Sequence, residues 1–369
     1  MTDTLADPIF LKALRDKAES LGISDLSSSS IDLSEASEHF LAWTAKHFHA
    51  DLDYMTKHGE KRYRPELLVE GTVSIITAKL NYFNPDFPAK MRLTEPSEGY
   101  VSMYALGRDY HKVLRKQLND LGKWMQEAIP DLQFRAFVDS APVLERALSH
   151  QSGLGFFGKN TMIIHPKAGS YFFLGEIYID RAIDISSEPI INHCGGCTRC
   201  LKACPTDAIV EPFQIDAGKC ISYLTIESFG PIPVKFRKPM GNRIFGCDDC
   251  QIVCPWNRFS TRHVIEDFLP RHKLDSSSLL ELFNWTEAEF LKKTEGSPIR
   301  RLGYDRWLRN IAIGIGNDQY RAENIDALRE KENYPDPAVQ EHVAWALSEQ
   351  LAKKSGANAI KLPPYFAPL

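Results

Sequence analysis

Cys194-Gly-Gly-Cys197-Thr-Arg-Cys200-Leu-Lys-Ala-Cys204-Pro205 reads C-x2-C-x2-C-x3-C-P. That spacing lets three close thiolates hold one four-iron four-sulfur cube while the fourth reaches a second cube. Gly195 and Gly196 permit a tight backbone path around a cluster, and Pro205 turns the chain after the last ligand. A shorter run, Cys247-Asp-Asp-Cys250-Gln-Ile-Val-Cys254-Pro255, lacks one member, and Cys220 is the one cysteine of the eight left to fill it. The pattern assigns Cys194, Cys197, Cys200 and Cys254 to one cluster, and Cys204, Cys220, Cys247 and Cys250 to the other.

Paired C-x2-C motifs also suit tetrahedral zinc, but the third cysteine in x2 register and the two Cys-Pro endings favour iron-sulfur cubes. Four disulfides are disfavoured in a reducing compartment. The N-terminus, Met1 to Leu11, lacks the basic start and apolar run of a secretory signal, so the expected location is the cytoplasm. No apolar run approaches the roughly 20 residues of a membrane span. With 44 basic and 48 acidic side chains the formal net charge is −4, so any nucleic-acid surface must be local.

Outward from the cysteines, the 369 residues suggest two or three units. Helical spacing over Asp7 to Leu21 is followed by a Ser/Asp-rich loop at Ser24 to Ser34 and a helix at Glu35 to His47. Strands are expected at Val73 to Tyr82, Phe134 to Val138, Met162 to Ile164 and Ser170 to Ile179. Helices are expected at Tyr110 to Ile129 and Val143 to Gln151, with a loop from Asn84 to Ser97. The mixture argues for an α/β layer domain over 1–185. A ferredoxin-like domain over 186–262 follows, then a helical, HEAT-like region over 263–369, where two stacked hairpins are weakly suggested.

Clusters of this kind commonly relay electrons to a separate cofactor. No G-x-G-x-x-G follows a predicted strand, which removes a dinucleotide fingerprint. Gly153-Leu-Gly155-Phe-Phe-Gly158-Lys159 follows a helix instead and is a turn or a close approach to a bulky ligand. Asp109-Tyr-His111-Lys-Val-Leu114 nears a cobalt-ligating D-x-H-x-x-G pattern but lacks the glycine, so His111 reads as a helix-start or pocket residue. Asp139 ends a short strand beside Ser140-Ala-Pro142, a position that suits catalysis or an N-cap.

Together, Tyr104-Ala-Leu-Gly107-Arg-Asp109-Tyr110-His111, Val138-Asp139-Ser140-Ala141-Pro142, Gly153 to Thr161, Phe172-Phe173-Leu174-Gly175-Glu176 and Cys254-Pro255-Trp256-Asn257 resemble the epoxyqueuosine reductase family. The resemblance implies a cobalamin-dependent iron-sulfur enzyme related to reductive dehalogenases. Its substrate would be epoxyqueuosine at the wobble position of tRNAs with GUN anticodons, the Asp, Asn, His and Tyr isoacceptors, engaged at the anticodon stem-loop. By resemblance Asp139 is the proton donor, and burial against a corrin would raise its pKa. The implied cobalamin contacts are Arg62, Tyr104, Asp139, Gly158, Lys159, Ile163 and Leu174, with Ser222 and Asp248 facing the corrin from the cluster side. An unidentified one-electron donor and a monomeric state complete the expectation.

The run Val234-Lys235-Phe-Arg237-Lys238-Pro-Met-Gly-Asn-Arg243 has no acid, and Arg300, Arg301, Arg306 and Arg309 surround Trp307. Such groups bind phosphates while aromatics stack on unpaired bases, although a charge run is more often a solvated face. Rival readings are a small-molecule cobalamin reductase, against which the basic runs argue, and an electron carrier that needs neither corrin nor Asp139.

Overall fold

The computed structural model describes residues 4–356. Four strands form the central sheet: β1 (Asp25–Ser29), β2 (Ser74–Asn81), β3 (Phe134–Phe137) and β4 (Phe172–Ile179), in the order β1-β2-β4-β3. Every pairing is antiparallel, with Thr77 opposite Glu176 and Glu176 opposite Phe137. Helices and strands alternate along the chain as the hydrophobic periods implied, but period carries no information about strand direction. The unit is therefore an antiparallel α+β layer rather than a parallel α/β one.

Alternation divides the sheet into two faces. Ile76, Ala78, Leu80, Ile177 and Ile179 pack against Leu114, Leu118, Leu121 and Met125 of the helix Tyr110–Ala128, all in one core. Gly175 allows this helix to lie close, since a Cβ there would stand 2.8 Å from a Leu118 methyl. Ile75, Phe137 and Tyr178 join Leu148 of the helix Glu145–Gln151 on the opposite face. Farther along that face, Ile163, Phe172 and Leu174 form a small cluster under the ribbon Phe156–Phe157/Ile163–Ile164.

Two expected loops contain regular structure. β1 falls inside the Ser24 to Ser34 segment, and Ala89–Thr94 is a helix within Asn84 to Ser97. Serine has low strand propensity, but here tertiary bonds override it: Ser27 Oγ donates to the Ser152 carbonyl at 2.6 Å, and Ser28 Oγ accepts from Ile185 N at 2.9 Å.

The cysteine segment is sewn into the first unit by Arg243–Phe245, which pairs in parallel with Tyr100–Val101. Beyond it the described chain is helical, with Leu279–Phe283, Glu287–Lys293, Tyr304–Asn317, Ala322–Glu330 and Pro337–Lys354. Trp307 is fully buried and stacks on Trp285 at 5.6 Å, in the same continuous core as Leu14, Ile177, Phe245 and Val343. Among the described residues no helix is long and apolar enough to cross a membrane.

Candidate active site and cluster ligands

Asp139 stands one residue beyond the buried Val138 at the end of β3, with its backbone at φ +40°. A non-glycine residue in this left-handed region is uncommon, and it turns the carboxyl away from the strand. Two neighbours on one helical turn hold that carboxyl. Tyr110 donates its hydroxyl to Oδ2, and His111 Nε2 lies 3.1 Å from the same oxygen. Asp109 begins the helix as its N-cap, accepting from His111 N at 3.2 Å, and its Oδ1 meets His111 Nδ1 at 2.7 Å. Arg301 closes the group at 3.3 Å from both His111 Nε2 and Asp109 Oδ2. His111 is thus both a helix-start and a pocket residue.

Without a ligand beside it, the carboxyl's electrostatics are set by its neighbours. Desolvation pushes the Asp139 carboxyl up, but hydrogen bonds from His111 and Tyr110 and the charges of His111 and Arg301 outweigh it, leaving it below the ordinary carboxylate range. Its side chain is 47% exposed, so the carboxyl reaches solvent. His111 moves the other way: desolvation lowers it, yet the bonds to Asp109 and Asp139 prevail and raise it. Behind Asp139, desolvation and then the charge of Asp139 push Glu145 up to about 8. Glu176, fully buried, is raised well above its usual range by desolvation and then by Glu145 and Asp139. Neither Glu176 oxygen has a hydrogen-bond partner among the described residues, nor have the Thr77 and Ser149 hydroxyls. These are orphaned buried polar atoms on the side of the sheet that carries Phe172 and Leu174, and a ligand with polar arms reaching them would satisfy them.

Tyr104 links this cleft to the cysteine segment. Its ring meets Tyr110 edge-on at 5.9 Å and Phe245 at 6.3 Å, two residues before Cys247. Cys194, Cys197, Cys200 and Cys254 line one cavity of about 260 Å³, together with Lys159, His193, Arg199, Trp256 and Arg258. Cys204, Cys220, Cys247 and Cys250 are electrostatic neighbours of one another on the inner side, where desolvation pushes Cys247 and Cys250 well up. Among the described residues no three His, Cys, Asp or Glu side chains converge closely enough to hold a single ion.

Other expected contacts are redistributed. Ile163 and Leu174 do meet on the sheet face, and a Cβ at the nearby Gly158 would collide with Ile164 and Asn160 at 2.5 Å. Lys159 points instead to the first cysteine loop, its Nζ donating to Gly195 O at 2.6 Å and Cys197 O at 3.0 Å. Arg62 is buried and donates to Met55 O at 2.9 Å and Tyr54 O at 2.6 Å, bracing its own turn. Asp248 is 1% exposed and accepts from Tyr100, Ser102 and Met103 N, so it fastens the second cysteine loop to the first unit. Ser222 supports Cys220 through its backbone N–H.

The basic runs change most. Arg237, Arg243 and Arg309 are buried, respectively on Glu341 and the Ile232 carbonyl, on Asp249, and on the carbonyls of Leu224, Ser228 and Gly230. They are scaffold rather than phosphate contacts, and the buried Trp307 cannot stack on a base. Arg306 is half-buried, bonded to three carbonyls and laid 4.3 Å over the Phe229 ring. Lys235, Lys238, Arg300 and Arg301 remain exposed. Sequence reasoning gave no role to Asp109, Glu145 or Glu176. The one signal was Glu176, a carboxyl in the otherwise apolar run Phe172 to Ile179.

Residues 193–257 match a family model described as a 4Fe-4S double cluster binding domain, and residues 62–140 match "Epoxyqueuosine reductase QueG, DUF1730". The epoxyqueuosine reductase of Pseudomonas aeruginosa is 49% identical over 92% of this chain and 95% of its own length. A solved epoxyqueuosine reductase with an epoxyqueuosine-modified tRNA-Tyr stem loop has a TM-score of 0.84 at 30% identity, covering 93% of this chain and 90% of its own. The Bacillus subtilis enzyme, solved with its catalytic aspartate loop swung out of the active site, gives 0.81 at 28% identity with the same coverage. With the cysteine segment matched to the double-cluster model and nearly the full length held in common with these relatives, the chain belongs to the epoxyqueuosine reductase family.

Proposed function

We propose that this chain reduces epoxyqueuosine to queuosine at the wobble position of tRNAs with GUN anticodons, the last step of queuosine synthesis. The observation that carries the site's part in it is the Asp139 carboxyl, held at an open cleft by Tyr110 and His111, with the Tyr104 ring between it and the Cys247 loop. Two four-iron four-sulfur clusters belong on the eight cysteines. Cobalamin belongs in the cleft, walled by Tyr104, Gly158, Ile163 and Leu174, with Thr77, Ser149 and Glu176 offering polar groups. When bound, it supplies low-valent metal chemistry for breaking the carbon–oxygen bond, recharged one electron at a time from the clusters.

Reducing an epoxide to an alkene consumes two electrons and two protons and releases the oxygen as water. Asp139 is the group that presents a proton to the departing oxygen. Because it is held ionised, the proton is stored as the Nε2–H of His111, whose Nδ1–H is fixed by Asp109. Transfer from Nε2 to Oδ2, and on to the oxygen, leaves a neutral imidazole to be recharged from solvent. Glu145 keeps its own proton near neutral pH and so does not repel the ionised Asp139.

The tRNA lies across the exposed Lys235, Lys238, Arg300 and Arg301, with Asp, Asn, His and Tyr isoacceptors as substrates. The enzyme acts as a cytoplasmic monomer of three units, 1–185, 186–262 and 263–369. The test is anaerobic turnover of an epoxyqueuosine-containing tRNA-Tyr stem loop by reconstituted protein with a chemical reductant. Queuosine should form only with cobalamin present, and its formation without cobalamin would overturn the reading.

A further inference from the structure

The two groups of cysteines are not equally placed. The inner group adjoins the buried pair Arg243–Asp249 and the Asp248 knot, and leads through Phe245 and Tyr104 toward Asp139. The outer group opens on the surface. Its cavity is lined by Lys159, His193, Arg199 and Arg258 and by no carboxylate. Lys159 is committed to loop carbonyls, but Arg199 and Arg258 are exposed, as is Lys202 near Arg199. Among the described residues none of these three forms an ion pair. Beside them Trp256 and the 40% exposed Phe259 make an aromatic ledge, with Arg258 lying 4.5 Å over the Phe259 ring. A locally cationic rim with an apolar centre, on a chain whose formal net charge is −4, orients an anionic partner toward one spot.

We propose that this rim, Arg199, Lys202 and Arg258 around the Trp256–Phe259 ledge, is the docking face for a small acidic one-electron carrier protein that reduces the outer cluster. Each encounter oxidises the carrier by one electron and reduces the outer cluster by one, so two encounters supply the pair consumed per epoxide. The inference rests on the cluster assignment and names the electron donor by its chemistry. The competing role for these cations is to balance the charge of the cluster itself. That role would alter reduction by every reductant alike, whereas docking alters only the bimolecular step with the carrier.

The test uses full-length protein with reconstituted clusters, mixed anaerobically with a reduced acidic flavodoxin while the cluster absorbance is followed. The R199E/R258E variant should be reduced about tenfold or more slowly at low salt. The wild-type rate should fall with added salt and approach the flat rate of the variant. Reduction by dithionite and affinity for the tRNA stem loop should be unchanged, with iron content reporting an intact fold. Equal flavodoxin rates would overturn the proposal, as would an equal loss with dithionite, which assigns the pair to cluster charge, or lost stem-loop affinity, which assigns it to RNA. Should the reversal variant lose iron, R199Q/R258Q carries the test, with a smaller slowing expected and unchanged rates refuting it. Stem-loop turnover with dithionite tests the proposed function separately, since it bypasses the carrier.

Discussion

Charge is handled in two opposite ways in this molecule. Arg237, Arg243 and Arg309 are surrounded by acceptors, so each buried guanidinium is answered by carboxylates or carbonyls. Around the Asp139 cleft, Asp139, Glu145 and Glu176 crowd together, and Glu176 has no hydrogen-bond partner among the described residues. Compensated charge builds the frame that holds the cysteine segment against its neighbours. Incompletely compensated charge displaces proton affinities, and it gathers at the proposed site of the chemistry.

The sharpest way to break this contrast is to neutralise the cleft. Asp139→Asn should lower turnover of the stem loop by about 10²–10⁴-fold while iron and cobalamin content stay unchanged. His111→Gln should lower it less, about tenfold or more, and flatten the alkaline limb of the pH profile with little change in KM. Turnover by Asp139→Asn at the wild-type rate would remove the cleft from the chemistry.

The frame should respond in stability instead. Arg243→Met leaves Asp249 buried without its cation, a change that costs about 3–5 kcal/mol, read as a lower denaturation midpoint. The double variant Arg243→Met/Asp249→Leu should recover much of that loss. Failure to recover would mean that the pair does more than neutralise itself.

A smaller effect follows from Glu145. Its folded pKa of about 8 lies above the unfolded value, so between about pH 4.5 and 8 the folded chain holds a proton that the unfolded chain has released. This contribution to stability is lost as pH rises through that window. In cobalamin-free protein, Glu145→Gln should raise the thermal midpoint relative to wild type at pH 8 and leave it unchanged at pH 5. The smallest effect is expected at the surface, where Lys235→Glu should weaken stem-loop binding a few-fold and lower its salt slope by about one.

Much of the site could be read along the chain, but unevenly. Cysteine spacing was readable because cluster geometry ties ligand identity to short, fixed intervals. Asp139 was readable as a strand-end carboxyl, but its protonation was not. That depends on Tyr110 and His111, which come from a helix start far from it in sequence. The basic runs misled because composition records charge without burial. Phe236 and Arg237 turn inward from the same short helix whose Lys235 and Lys238 face water. Trp307, flanked by Arg306 and Arg309, goes to the core for the same reason.

By itself the sequence determined the spacing of the eight cysteines, most of the helices and strands, and through its ordered motifs the family. Local spacing and hydrophobic period are properties of neighbouring residues and survive without a fold. Only the tertiary structure decided that the sheet runs antiparallel, that Ser24 to Ser34 contributes an edge strand, which arginines are frame, and that Asp109, His111 and Asp139 form one hydrogen-bonded line. Each of these depends on groups distant in sequence finding partners in space, and such pairings leave no trace in any short window of the chain.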